Sequence, residues 1–267
     1  MAKTDNRKPK IIIINNKIKR RRLNSQIEDN ITDQTFSPFF PTVTDVVVPV
    51  VGQRLLAKFF ANKSCIELSK TLLGQILCRK LSPDGPILRG RIVETEAYLG
   101  SEDKACHSYG GRRTARNEPM FMNAGTIYVY FTYGMYYCFN LSAEAEGSAV
   151  LLRAVQPVDG SQHMIELRNR FLQRKRPEIS SSPTDRPIKP KMLANGPAKL
   201  CIAFDINKDN LNKVDITSSN DIWIESAKTV GQEDIVCRKR IGISGDNEWV
   251  DKELRFYIKD CEFVSKK

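Results

Sequence analysis

The sequence predicts an α+β fold, a single mixed domain built on an antiparallel sheet. Three observations predict it. Apolar runs with the period-2 alternation of strands are joined by turns and loops, with few helical stretches between them, which suits an antiparallel sheet and not a doubly wound one. Residues 75–81 and 87–98 flank Ser82-Pro83-Asp84-Gly85, a turn sequence that closes a hairpin. No period of about 20 to 50 residues recurs, which argues against a solenoid.

The elements follow in chain order. Residues 1–50 combine a basic run, a polar stretch from Asn24 to Thr35 and three prolines (Pro38, Pro41, Pro49), so they are expected to form a disordered basic extension. The folded domain is expected over 51–267. Ser64-Cys65-Ile66-Glu67 is a capping box that opens a helix carrying Ile66, Leu68, Leu72 and Leu73, and Gly74 ends it. After the hairpin, 101–117 is polar, contains Gly110-Gly111 and reads as loop. Residues 126–142, rich in tyrosine, form a further β segment with a turn near Tyr133-Gly134, and 148–155 a short apolar strand. A helix is predicted over 161–173, a basic surface loop over 173–191, a helix over 198–204, and strands over 221–225 and 254–258.

The 267 residues carry a formal net charge of +11 and a pI near 9.3. This favours a polyanionic partner, because lysine and arginine bound to phosphates release condensed counterions. Residues 1–22 hold nine Lys or Arg against Asp5 alone, so +8 of the +11 lies in these first 22 residues. There Lys17-Ile18-Lys19-Arg20-Arg21-Arg22 fits a nuclear import signal or a non-specific DNA tether, against a mitochondrial presequence or a plain solvated tail. The expected location is the nucleus, with mitochondria as the second reading. Seven scattered cysteines without a CxxC pair argue for a reducing compartment and against disulfides or a zinc finger. Cys106-His107 has no second pair at ligand spacing, so no metal is expected. Walker, GxGxxG, HExxH, GxSxG and zinc-deaminase signatures are absent, and no cofactor is expected. No run approaches the roughly eighteen apolar residues of a membrane span, so no membrane partner is expected.

Three segments could carry chemistry. In a regular strand Ile92, Glu94, Glu96 and Tyr98 share one face, an odd place for two carboxylates. A carboxylate beside an aromatic ring suits a general base, its pKa raised by burial. Glutamates that are solvated or paired with arginines would look the same, and periodicity does not choose between Glu94 and Glu96. In the run 128–140, alternating aromatics suit sheet packing, yet a turn at Tyr133-Gly134 would present Tyr133 outward as a wedge between bases. Asn140 ends that run with an amide that needs partners, from a base edge or from backbone. In the loop 106–117, paired glycines and Arg112, Arg113 and Arg116 suit phosphate contact, although any exposed charged loop would do the same. His107, one of two histidines, is a candidate pocket residue, while His163 in a predicted helix is a surface position.

Taken in order, Leu73-Gly74-Gln75, Arg89-Gly90-Arg91-Ile92-Val93-Glu94-Thr95-Glu96-Ala97-Tyr98-Leu99-Gly100, Gly125-Thr126-Ile127-Tyr128-Val129-Tyr130, Tyr133-Gly134-Met135-Tyr136, Leu151-Leu152-Arg153-Ala154, Gly196-Pro197, Lys199-Leu200-Cys201 and Leu254-Arg255-Phe256-Tyr257 resemble the alkyladenine (3-methyladenine) DNA glycosylase family. The resemblance runs from about residue 55 to about residue 264 and leaves out the extension. It implies a curved antiparallel core and a monofunctional enzyme of base excision repair. Such an enzyme flips 3-methyladenine, 7-methylguanine, hypoxanthine or ethenoadenine from duplex DNA and hydrolyses the bond to the sugar. By the same resemblance Glu96 is the water-activating carboxylate, Arg153 flanks the water, and the Ile241 carbonyl helps hold it. Tyr98 and Tyr130 sandwich the base, His107 hydrogen-bonds it, Asn140 discriminates against guanine, and Tyr133 fills the gap in the duplex. The implied partner is double-stranded DNA, met by a monomer. Asn123-Ala124 and the loop 173–191 depart from the family pattern, and with them the detail of DNA contact. The rival readings are a non-catalytic binder of damaged or bent DNA, an enzyme acting on RNA or free nucleosides, and a basic protein with an aromatic core and no active site.

Overall fold

A computed structural model describes residues 52–175, 188–245 and 248–267. The expected extension over 1–50 and most of the expected loop over 173–191 lie outside the described residues.

The predicted hairpin is the middle of the sheet. Strands β1 (Ile76–Lys80) and β2 (Ile87–Tyr98) pair antiparallel from Ile76↔Arg91 to Lys80↔Ile87. The other strands are β3 (Ile127–Thr132), β4 (Tyr136–Ser142), β5 (Ala149–Asp159), β6 (Ile222–Glu225), β7 (Ile235–Arg238) and β8 (Arg255–Ile258). All pairings are antiparallel in one eight-stranded sheet of order β3-β4-β5-β2-β1-β6, and β8 joins β2 to β7. Residues 94–96 of β2 are thus flanked by β5 on one side and β8 on the other. This double pairing buries every residue from Ile92 to Ala97, as expected for a central strand covered on both faces.

Among the described residues the α-helices are α1 (Ala57–Phe60), α2 (Cys65–Thr71), α3 (Ser161–Lys175), α4 (Pro197–Ala203) and α5 (Lys208–Leu211). The capping box at α2 is made in both directions, Glu67 N–H to Ser64 Oγ at 3.2 Å and Ser64 N–H to Glu67 Oε2 at 2.8 Å. It satisfies donors that the first helical turn leaves free, worth about 1 kcal/mol. Gly74 then turns the chain at φ +87°, and its N–H reaches Ile92 O at 2.8 Å. Helix α2 lies against β2 and β5, α4 against β4 and β5, and α3 against α4. Leu68, Leu72, Leu77, Ile92 and Val150 meet in one core with essentially no exposure. Each side chain so buried contributes about 1.5–3 kcal/mol.

Several expectations change in the folded chain. The tyrosine-rich segment is two strands around a tight turn in which Tyr133 (φ 51°) and Gly134 (φ 65°) both take left-handed backbone, the hairpin turn that matches strand twist. The register of β2 with β5 shifts at Ile92/Glu94 and Glu94/Thr95, yet Glu94, Glu96 and Tyr98 remain on one side of the strand, linked through Arg153 and the Tyr98 hydroxyl. The loop 101–117 is not a solvated excursion: Asp103, Cys106, Ser108 and Asn117 are buried. Helix α3 reaches Lys175, beyond its expected end at 173, and α1, α5 and β7 were too short for a period to register.

Candidate active site

On β2 the glutamates Glu94 and Glu96 are both fully buried, and Arg153 from β5 lies between them. Its Nε is 3.4 Å from Glu94 Oε1 and its Nη1 is 3.2 Å from Glu96 Oε1. Burial works against the Arg153 charge, and attraction to Glu96 and Glu94 outweighs it, so its pKa stands above the ordinary arginine value. Of the two open alternatives, pairing with arginine is realised and solvation is not.

The two carboxylates differ in everything else. Glu94 is closed off: Arg255 Nη1 donates to it at 2.8 Å, Ser265 N–H at 2.6 Å and Ser265 Oγ at 2.9 Å. Glu96 takes Tyr98 Oη–H on Oε2 at 2.9 Å and the Ile241 N–H on Oε1 at 2.8 Å. These two donors and Arg153 also line a cavity of about 480 Å³. Glu96 therefore stands directly behind the cavity wall, bonded to the groups that form it. Burial pushes its pKa above the ordinary carboxylate range, opposed by Arg153, the Ile241 N–H and the Tyr98 hydroxyl.

The same cavity collects Tyr130, His107, Asn140 and Tyr133, from β3, the 101–117 loop, β4 and the hairpin tip. His107 Nδ1 and Tyr128 Oη are 2.9 Å apart, and the imidazole meets the Tyr130 ring edge-on at 4.7 Å. Burial and then the nearby Arg116 push the His107 pKa down to about 4, so the ring is neutral at physiological pH. Asn117 donates to the His107 carbonyl at 3.0 Å, which holds the loop against the site. Asn140 Nδ2 donates to Tyr128 O at 3.0 Å, and the amide is only 4 % exposed. Tyr133 is 84 % exposed, with Phe131 and Met135 exposed beside it on the hairpin tip.

Residues 58–262 match the family model for methylpurine-DNA glycosylase. The chain belongs to the methylpurine-DNA glycosylase family. It is 48 % identical over 201 residues to a probable DNA-3-methyladenine glycosylase of Encephalitozoon cuniculi, covering 75 % of this chain and 88 % of that one. Identity to the human DNA-3-methyladenine glycosylase is 43 % over 213 residues, 79 % of this chain and 68 % of that one. To a putative 3-methyladenine DNA glycosylase of Clostridium botulinum it is 46 % over 215 residues, 80 % of this chain and all of that one. The protein is accordingly a DNA glycosylase for alkylated bases, as the glycosylase motifs in its sequence implied.

Within this glycosylase the three loop arginines have different surroundings. Arg112 is exposed on a second cavity of about 340 Å³ that it shares with Lys104 and Arg116. Arg113 is engaged by Glu118 through two hydrogen bonds at 3.0 and 2.7 Å. Arg116 has its guanidinium 5.1 Å from the Tyr130 ring, so it adjoins the first cavity as well as the second. Ile241 is fixed to the site through its N–H on Glu96 Oε1.

Sequence reasoning missed Tyr128, Arg255, Ser265 and the pair Asp103 and Arg240. Tyr128 carried a usable signal, since at period 2 it shares a face with Tyr130. The others carried none, because their partners are far away in sequence. His163 is exposed, as expected. Among the described residues no group of His, Cys, Asp and Glu could hold a metal, and no helix is long and apolar enough to cross a membrane.

Proposed function

We propose that the glycosylase flips damaged purines from duplex DNA into the cavity and hydrolyses the N-glycosidic bond, with Glu96 as general base. Tyr133 would take the vacated place in the stack, a step that costs least for a damaged base. The purine would lie against Tyr98 and Tyr130, where an electron-poor alkylated ring meets aromatic faces. Glu96 takes a proton from a water held beside Arg153 and Ile241. The water oxygen bonds to the sugar C1′ while the bond from C1′ to the purine breaks, its electron pair leaving with the base. A cationic base such as 3-methyladenine departs neutral; hypoxanthine and ethenoadenine need a proton at the leaving purine, so acid assistance matters for them. No lysine lines the cavity, in keeping with hydrolysis without a Schiff base and without strand cleavage.

The observation that carries this reading is the contrast between the two glutamates. Glu94 is saturated by structural partners, whereas Glu96 is bonded only to groups that themselves line the cavity. Asn140 is proposed to reject guanine through conflict with its exocyclic amine. Arg112 and Arg116 suit the DNA backbone, and Arg113 does so on release from Glu118. One flipped nucleotide needs one monomer, and the basic run 17–22 suits nuclear import.

The test is base release from an end-labelled duplex carrying one hypoxanthine or ethenoadenine, read as strand scission with and without alkali. The wild type should cleave only with alkali, and Glu96→Gln should bind without releasing base. Tight binding without cleavage by either protein, on these lesions and on 3-methyladenine, would make it a non-catalytic binder.

A further inference from the structure

Beneath the cavity lies a second buried ion pair that the proposed reaction does not use. Arg240 and Asp103 have completely buried side chains, and the guanidinium forks onto the carboxylate at 2.5 and 2.9 Å. Asp103 is anchored to its own loop, accepting from Leu99 N–H at 3.1 Å and Ala105 N–H at 3.0 Å. Arg240 Nη1 donates a further bond to Ala97 O at 3.1 Å, and its guanidinium carbon is 4.6 Å from the centre of the Tyr98 ring. The pair therefore grips the backbone on both sides of Tyr98 and packs against the ring between them. Arg240 also immediately precedes Ile241. Tyr98 and Ile241 are the two residues whose O–H and N–H bond the two oxygens of Glu96.

We infer that Asp103 and Arg240 are positioning residues for the general base: together they hold the Tyr98 hydroxyl and the Ile241 N–H on the Glu96 carboxylate and so set where its remaining lone pairs point. This inference rests on the reading of Glu96 as that base. A buried ion pair is no better for stability than a well-packed apolar pair of the same volume. A fork that braces two separate donors does what apolar side chains cannot, because apolar contact has no direction.

The groups facing Glu96 are Arg153 of β5, Arg255 opposite it on β8, Cys138 of β4, and Glu94 and Tyr98 of its own strand. Arg240 adds a charge from the loop after β7. Replacing Asp103 by Asn keeps the shape and frees the fork. The donors on Glu96 then loosen, its ionised form is less favoured, and its reach to the water is disturbed.

The experiment measures single-turnover base release against pH for Asp103→Asn, Arg240→Lys and Glu96→Gln, together with affinity for the same lesion duplex. We expect the plateau rate of the first two to fall about 10²-fold, the effect of a misplacement of about 1 Å. The acid limb should move to higher pH, and duplex affinity should stay at the wild-type level. Arg240→Lys keeps the buried charge and loses only the fork, so it carries the test if Asp103→Asn does not fold. A wild-type plateau and limb, or a rate lost only in step with duplex binding, overturns the inference while Glu96→Gln stays inactive. An active Glu96→Gln overturns the general-base reading and the inference with it.

Discussion

Arg153 reaches Glu96 through Nη1 at 3.2 Å while its Nε faces Glu94 at 3.4 Å, so one guanidinium links a closed-off carboxylate to the one behind the cavity wall. The two glutamates are two residues apart on one strand and should respond to substitution in opposite ways.

Glu94→Gln should act on stability. It leaves Arg153 and Arg255 facing one buried carboxylate instead of two, and breaking such a pair costs about 3–5 kcal/mol. Urea unfolding should show a lower midpoint at unchanged slope. A loss under about 1 kcal/mol, the size of an ordinary substitution, would contradict the role given to Glu94.

The pH dependence follows from Glu96. Its pKa is raised chiefly by burial, and the base form is the active one, so the rate should fall as pH drops through a value above the ordinary carboxylate range. A cationic lesion such as 7-methylguanine isolates this limb, because its departure needs no added proton. A rate that stays flat down to the ordinary carboxylate pKa would rule out Glu96 as the base.

Tyr133 should separate stability from activity. Its ring is 84 % exposed and its φ is 51°, so Tyr133→Gly should be more stable than Tyr133→Ala by about 1 kcal/mol. Both should lose base release from duplex DNA. Thermal unfolding beside the duplex assay checks this, and full activity in either variant would remove Tyr133 from the flipping step.

Asn140→Ser should widen the substrate range. The shorter side chain gives up the bond to Tyr128 O and the bulk proposed to exclude guanine. Guanine release relative to hypoxanthine should rise, and an unchanged ratio would mean that another residue discriminates.

Local physics made much of the fold legible in the sequence: the capping box at Ser64, the hairpin around Ser82-Pro83-Asp84-Gly85, the turn at Tyr133-Gly134 and the tyrosine run around it. Each depends on residues a few positions apart, and the motif order was specific enough to indicate the family. The cavity-facing residues Tyr98, His107, Tyr130, Asn140 and Arg153 were named with it. Only the tertiary structure decided how Glu94 and Glu96 differ in their partners. Alternation puts them on one face, and the choice depends on partners 145 to 171 residues away, namely Ile241, Arg255 and Ser265. The link between Asp103 and Arg240 spans 137 residues and is equally silent in the sequence. A hydrogen bond or ion pair needs an approach within a few ångströms, and between segments so far apart only the packing of the whole sheet brings that about.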